Sequence, residues 1–250
     1  SQLLSSQWCR LKNHDGHEFV EGIANKIAGA IVSKPVVGKN LSQWVVKDTE
    51  KALGYLASLK RDSFRGQTVA VTGSSGKTTV KEFISSILKL CGSVHATEGN
   101  LNNQIGLPLT LLALSNAADY LVLEMGARKA GDINYLCSLS RPNISLVNNI
   151  QNAHIGAFGD LGTTASAKSE IYQSLAEDGV GVLNLDIDYA DKWRDVIGAR
   201  RCITFSAEGK CADVMAINLK SDELGCYKFT MRLSSKTQTS SSKETLDKSP

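Results

Sequence analysis

The residues best suited to chemistry stand together as Gly73-Ser74-Ser75-Gly76-Lys77-Thr78-Thr79. Glycines let a backbone turn tightly and come close to an anion. Amide groups at a helix start point at that anion, and the helix dipole favours it. Lys77 adds a point charge for outer phosphates, and the Thr78 hydroxyl suits Mg²⁺. All seven residues are assigned to a loop that grips the phosphates of ATP. The standard Walker pattern places four residues between its glycines. Here only Ser74 and Ser75 separate Gly73 from Gly76. Gly-Lys-Thr alone is a weak signal, and its bland alternative is a solvated glycine turn with a surface lysine. The apolar run Val69-Ala70-Val71-Thr72 before the loop and the helical pattern after it make the signal strong.

The elements that must position this loop alternate regularly. Strands are predicted at 68–72, 120–125, 144–148 and 180–185, and helices at 77–90, 132–139 and 163–175. Continuously apolar strands separated by helices argue for a parallel sheet covered on both faces. Short strands at 202–205, 214–219 and 227–232 follow. Upstream, Phe19, Ile23 and Ile27 recur at helical spacing, 29–32 and 43–46 read as strands, and Asp48 stands as N-cap of a helix over 49–60. The fold expected is α/β: a P-loop-type, mostly parallel sheet flanked by helices, preceded by a partial N-terminal α/β domain. The domains are placed at 1–65, 66–233 and a disordered polar tail at 234–250. Glu124 falls at the C-terminal end of a central strand, where parallel sheets place ligands, and its carboxylate suits Mg²⁺.

Four further segments carry a resemblance: Gly99-Asn100-Leu101-Asn102-Asn103-Gln104-Ile105-Gly106-Leu107-Pro108, Leu123-Glu124-Met125-Gly126-Ala127, Asn148-Asn149-Ile150-Gln151-Asn152-Ala153-His154 and Ala167-Lys168-Ser169-Glu170-Ile171. With the short loop, their order resembles the Mur ligases of peptidoglycan synthesis. Together with Asp15-Gly16-His17-Glu18-Phe19, the wording is most similar to members that add D-alanyl-D-alanine to UDP-N-acetylmuramoyl-tripeptide. The resemblance implies an ATP-dependent amide ligase working through an acyl phosphate, with Mg²⁺. It implies that Lys77, His154 and Lys168 act in catalysis, that His154 serves a second Mg²⁺, and that Lys168 is carbamylated to become a metal ligand. Near the start of the helix 163–175, an anionic Lys168 would suit the helix dipole. Asn102 and Asn103 are implied on the substrate side, though an Asn pair also forms turns. Thr79 and Lys81 also serve simply to start the helix.

Against that pattern, the first domain is expected to be cut short and the third, closing domain to be absent. The chain alone is then expected to have little ligase activity. The alternatives are an ATP-binding remnant without catalysis, a small-molecule kinase or nucleotidase, or a related ligase of the folylpolyglutamate type. A net charge of +3 gives no footing for nucleic acid or a membrane surface. No apolar run approaches a membrane span. Six scattered cysteines without a Cys-x-x-Cys pair suggest no zinc site. They are read as reduced, mostly buried residues of a cytoplasmic monomer whose partners are small molecules.

Overall fold

The computed structural model describes residues 15–36, 41–151, 160–221, 223 and 227–234. All of the tail expected to be disordered except Ser234, the segment holding His154, Cys9 and Cys226 lie outside these residues.

The chain begins with α1 (His17–Ile23), a 3₁₀ turn (Ala24–Lys26) and two parallel strands, β1 (Gly29–Val32) and β2 (Ser42–Val45). The Asp15–Phe19 motif acts here as a clamp. His17 Nδ1 lies 2.5 Å from Asp15 Oδ1, and His17 Nε2 accepts the Ser33 N–H at 3.0 Å. The Lys34 ammonium and His17 beside it hold the Asp15 carboxyl well below the usual carboxylate range. Next comes α2 (Thr49–Asp62), capped by Asp48, whose side chain accepts from the Lys51 N–H. Although it was read with the first unit, α2 packs against helices of the second. Its Arg61 is buried and donates to the carbonyls of Ser140 and Arg141.

The rest of the chain builds one eight-stranded sheet: β3 (Gln67–Thr72), β4 (Val94–Ala96), β5 (Tyr120–Glu124), β6 (Ile144–Val147), β7 (Val180–Asn184), β8 (Arg201–Ser206), β9 (Val214–Ser221) and β10 (Tyr227–Leu233). The order is β10-β9-β8-β7-β6-β3-β5-β4, and only β9–β10 is antiparallel. The intervening helices are α3 (Lys77–Leu88), α4 (Gly106–Leu112), α5 (Asp132–Ser140), α6 (Leu161–Gln173) and α7 (Ala190–Ile197). From β3 the chain moves out to β4 and then returns past β3 to β6. The right-handed rule for such crossovers puts α3 on one face and α4 to α7 on the other, and α3 accordingly packs on β3, β4 and β5 while α4 packs on α5, α5 on α6 and α6 on α7. The direction of winding reverses beside β3, where doubly wound sheets open a crevice.

Leu107 and Leu111 of α4, Leu121 and Leu123 of β5, Ile171 of α6 and Trp193 of α7 share one core, all fully or almost fully buried. Three elements were absent from the sequence reading: β4, α4 and α7. Cysteine burial also differs. Cys137 is buried and Cys202 half-buried, but Cys91 and Cys211 are exposed, because they follow the last turn of α3 and the end of β8 rather than a core face.

Candidate active site at the phosphate loop

The register of the central strands decides which groups can meet. Val71 of β3 is level with Glu124 of β5, and Thr72 is level with Val147 of β6. The residues that follow therefore leave the sheet on one edge. Gly73 leads into the loop there, and Gly76 takes a left-handed backbone (φ 66°) before α3 begins. The first-turn amides of α3 have no acceptor within the helix, which leaves them for an anion.

Two ammonium groups converge behind the loop. Lys77 Nζ and Lys168 Nζ each donate to the Gly73 carbonyl at 3.0 Å. Lys168 is only 3% exposed. Burial, reinforced by the charge of Lys77, pulls its pKa down to about 8. Lys168 sits mid-way along α6 rather than near its start, because Asp160 caps a helix that begins at Leu161. A helix dipole fades within the first turn, so the expected stabilisation of an anionic Lys168 by the dipole does not hold. The same motif fixes α6 from its other side. Glu170 accepts from Gly131 N–H at 2.7 Å and Asn134 N–H at 2.9 Å, holding the start of α5.

Glu124 closes the site. It is 3% exposed, and both carboxylate oxygens are engaged. Thr78 Oγ1 donates to Oε2 at 2.7 Å, and Asn102 Nδ2 donates to Oε1 at 2.7 Å. Thr97 Oγ1 accepts the Glu124 N–H at 3.0 Å. Gly126 allows this closeness, since a Cβ there would lie 3.1 Å from Asn102 Oδ1. Thus Thr78, Glu124 and Asn102 meet, as do Lys77 and Lys168. Thr79 is exposed in the first turn of α3. Asn103 is turned elsewhere: its Oδ1 accepts from Ile105 and Gly106 N–H groups at the start of α4. Lys81 is buried and donates to the Thr97 carbonyl at 2.7 Å.

Sequence reasoning missed the partners of Ser74 and Ser75. Their amides face the side-chain oxygen of Asn149, at 3.2 and 3.0 Å. The only signal was an Asn pair directly after an apolar strand.

Oxygen donors from a hydroxyl and a carboxylate fit a hard cation such as Mg²⁺, which takes its other ligands from phosphate and water. Among the described residues no group of three His, Cys, Asp or Glu side chains could hold a metal by itself.

A family model described as the Mur ligase middle domain matches residues 71–243. The chain belongs to the Mur ligase family. The UDP-N-acetylmuramoyl-tripeptide–D-alanyl-D-alanine ligase of Escherichia coli is 42% identical over 205 residues, covering 82% of this chain and 45% of that protein. MurF from Acinetobacter baumannii has a TM-score of 0.83 at 34% identity, over 89% of this chain and 48% of that one. MurF from Thermotoga maritima, solved in complex with ADP, has a TM-score of 0.79 at 30% identity, over 90% of this chain and 51% of that one. This Mur ligase chain spans about half the length of the curated relatives it matches. No helix among its described residues is long and apolar enough to cross a membrane.

Proposed function

We propose that the chain carries the ATP site of an amide ligase that joins D-alanyl-D-alanine to UDP-N-acetylmuramoyl-tripeptide, in cytoplasmic synthesis of peptidoglycan precursors. The observation that carries this reading is the meeting of Thr78, the residue after Lys77, with Glu124 at the sheet edge. ATP, when bound, would activate the peptide carboxylate as an acyl phosphate, which the amine of the dipeptide then displaces.

The protein's own part is positioning and charge neutralisation. Two anions must approach, the peptide carboxylate and the γ-phosphate. Lys77 and the amides at the start of α3 offset the charge of the phosphates. Thr78 and Glu124 would hold Mg²⁺. Asn102 fixes the second Glu124 oxygen, which would keep the carboxylate from rotating away from such an ion. His154 and a carbamylated Lys168 complete the proposed site for a second ion. Burial supports the modification of Lys168: its lowered pKa raises the share of neutral amine. That amine can add to CO₂, giving a carbamate and releasing one proton. The carbamate nitrogen keeps one N–H, so it can still donate to the Gly73 carbonyl while its oxygens turn towards an ion.

The carboxylate substrate has a candidate approach beside Gln104. A cleft of about 710 Å³ has Lys51, Arg128 and Lys129 in its lining together with Asp48, Glu50 and Asp132. The partners proposed are the UDP-tripeptide, D-alanyl-D-alanine and ATP, with the protein acting as a monomer.

The test is ADP release measured with and without each substrate. Because the chain spans about half of its relatives, the second arm is a chimera with its residues in place of the matching stretch of the E. coli ligase. Release that needs both the UDP-tripeptide and D-alanyl-D-alanine, and that is lost in Lys77→Ala, supports the ligase. Release without the amine would point to a kinase. MgATP binding without amide formation in the chimera would leave only an inert nucleotide site.

A further inference from the structure

The phosphate loop does not hold its shape with its own residues alone. With two residues between its glycines, it has little backbone with which to bond to itself. A brace reaches it from the segment after β6. Asn149 meets the Ser75 peptide edge to edge: Oδ1 accepts the Ser75 N–H at 3.0 Å while Nδ2 donates to the Ser75 carbonyl at 3.1 Å. The same Oδ1 accepts from Ser74 N–H at 3.2 Å, and the Asn149 main-chain carbonyl accepts from it at 3.1 Å. Asn148 Nδ2 adds a second donor to the Ser75 carbonyl at 2.9 Å. The partners fix the amide's orientation, because two N–H groups face one end and a carbonyl faces the other.

Glycine makes the approach possible. A Cβ on Gly73 would lie 3.1 Å from Asn148 Cβ and 3.3 Å from Asn149 N. The brace also divides the loop's amides. Those of Ser74 and Ser75 are taken by Asn149, which leaves the amides from Gly76 onward to face a ligand.

We propose that Asn149 is a positioning residue that pre-forms the shortened loop for phosphate, standing in for the backbone that a longer loop would supply. The role in binding rests on the nucleotide reading given above; the brace itself does not. Only a carboxamide serves here among residues of this size. Aspartate would set a second acceptor against the Ser75 carbonyl, and leucine would leave the Ser75 N–H unpaired and take one of two partners from the Ser74 N–H and the Ser75 carbonyl. Pre-organisation of this kind raises affinity by lowering the ordering cost of binding.

Two readouts test it on the intact chain. Without nucleotide, hydrogen exchange of the peptide containing Ser75 should quicken roughly tenfold in Asn149→Ala, while peptides of β5 and α6 exchange as in the wild type. With MgADP as the probe, calorimetry should show affinity about tenfold weaker, the loss that two neutral hydrogen bonds imply. Asn149→Asp should behave like Asn149→Ala at pH 7.5 and approach the wild type only as the pH falls below about 4. There the neutral acid regains one donor and one acceptor. Unchanged exchange at Ser75, or faster exchange spread equally through β5 and α6, overturns the proposal. A pH-independent Asn149→Asp defect overturns it too. If the wild type binds no MgADP, the nucleotide reading falls, and the exchange result still decides whether the brace exists.

Discussion

Strands β3 and β5 hide nearly every side chain they carry, whereas β10, at the far edge of the same sheet, leaves Tyr227, Phe229, Met231 and Leu233 exposed. The two regions are hydrogen-bonded into one sheet but obey different constraints. The centre is covered on both faces, so its strands are mostly apolar, and most of its buried polar groups are paired, the Thr68 and Ser145 hydroxyls excepted. Glu124, Lys168 and Thr72 are each buried, and each has a partner. The ribbon's apolar residues recur at every second position, which is the period of one strand face. Stability should therefore concentrate at the centre, where the chemistry sits.

The sharpest way to break this contrast is a pair of truncations. Leu123→Ala, in β5, should cost about 3 kcal/mol through lost burial and a cavity. Phe229→Ala, on the exposed ribbon, should cost less than about 1 kcal/mol. Urea unfolding of both variants measures the difference, and equal costs would erase the distinction.

A smaller effect is expected at Tyr172, whose hydroxyl ties β6 to β7 at the centre. It accepts the Val147 N–H at 3.0 Å and donates to the Val182 carbonyl at 2.8 Å. Tyr172→Phe should cost about 1–3 kcal/mol by leaving those groups unpaired. Burial raises the Tyr172 pKa above its usual value of 10.0. The folded state then keeps a proton that the unfolded chain releases. The stability is fully present below about pH 10 and declines as the pH climbs from there towards the raised value. Thermal unfolding from pH 9 to 11 should show the wild type falling more steeply than Tyr172→Phe; parallel curves would contradict the sign.

The least energetic comparison uses thiols. Burial pushes the Cys137 pKa up to about 12, whereas Cys91 and Cys211 are exposed. Labelling at pH 8 followed by peptide mapping should modify Cys91 and Cys211 quickly. Cys137 should react only as the core opens.

The parts of the fold that could be read from the residues are those where local and long-range demands agree. The loop and the strand before it were legible because glycine, lysine and threonine stand where their chemistry requires them. The continuous apolar run of β5 announced a strand buried on both faces. By contrast, α4 is Gly-Leu-Pro-Leu-Thr-Leu-Leu, and five of its seven residues are buried. It lacks a polar face and carries proline in its first turn, where proline is tolerated, so it shows no helical period. With three residues, β4 is too short to show any period. The spacing of Ala190, Trp193 and Ile197 did carry the signal for α7. At the site, Glu124 was legible from its place at a strand end. The brace was not, because Asn149 and Ser75 lie 74 residues apart and only the register of β3 against β6 brings them together. The mid-helix place of Lys168 turned on a cap two residues earlier than the apolar pattern suggested.

The central claim is that the edge of the sheet beside β3 binds polyphosphate through Lys77, with a metal held at Thr78 and Glu124. Calorimetric titration of ADP with and without Mg²⁺, repeated for Lys77→Ala and Glu124→Gln, tests it most directly. The expected result is one saturable site that Lys77→Ala weakens by about a hundredfold, as removal of a charged phosphate contact implies. In Glu124→Gln, binding should lose most of its dependence on Mg²⁺. Equal affinity in all three proteins, with the same response to Mg²⁺, would contradict it.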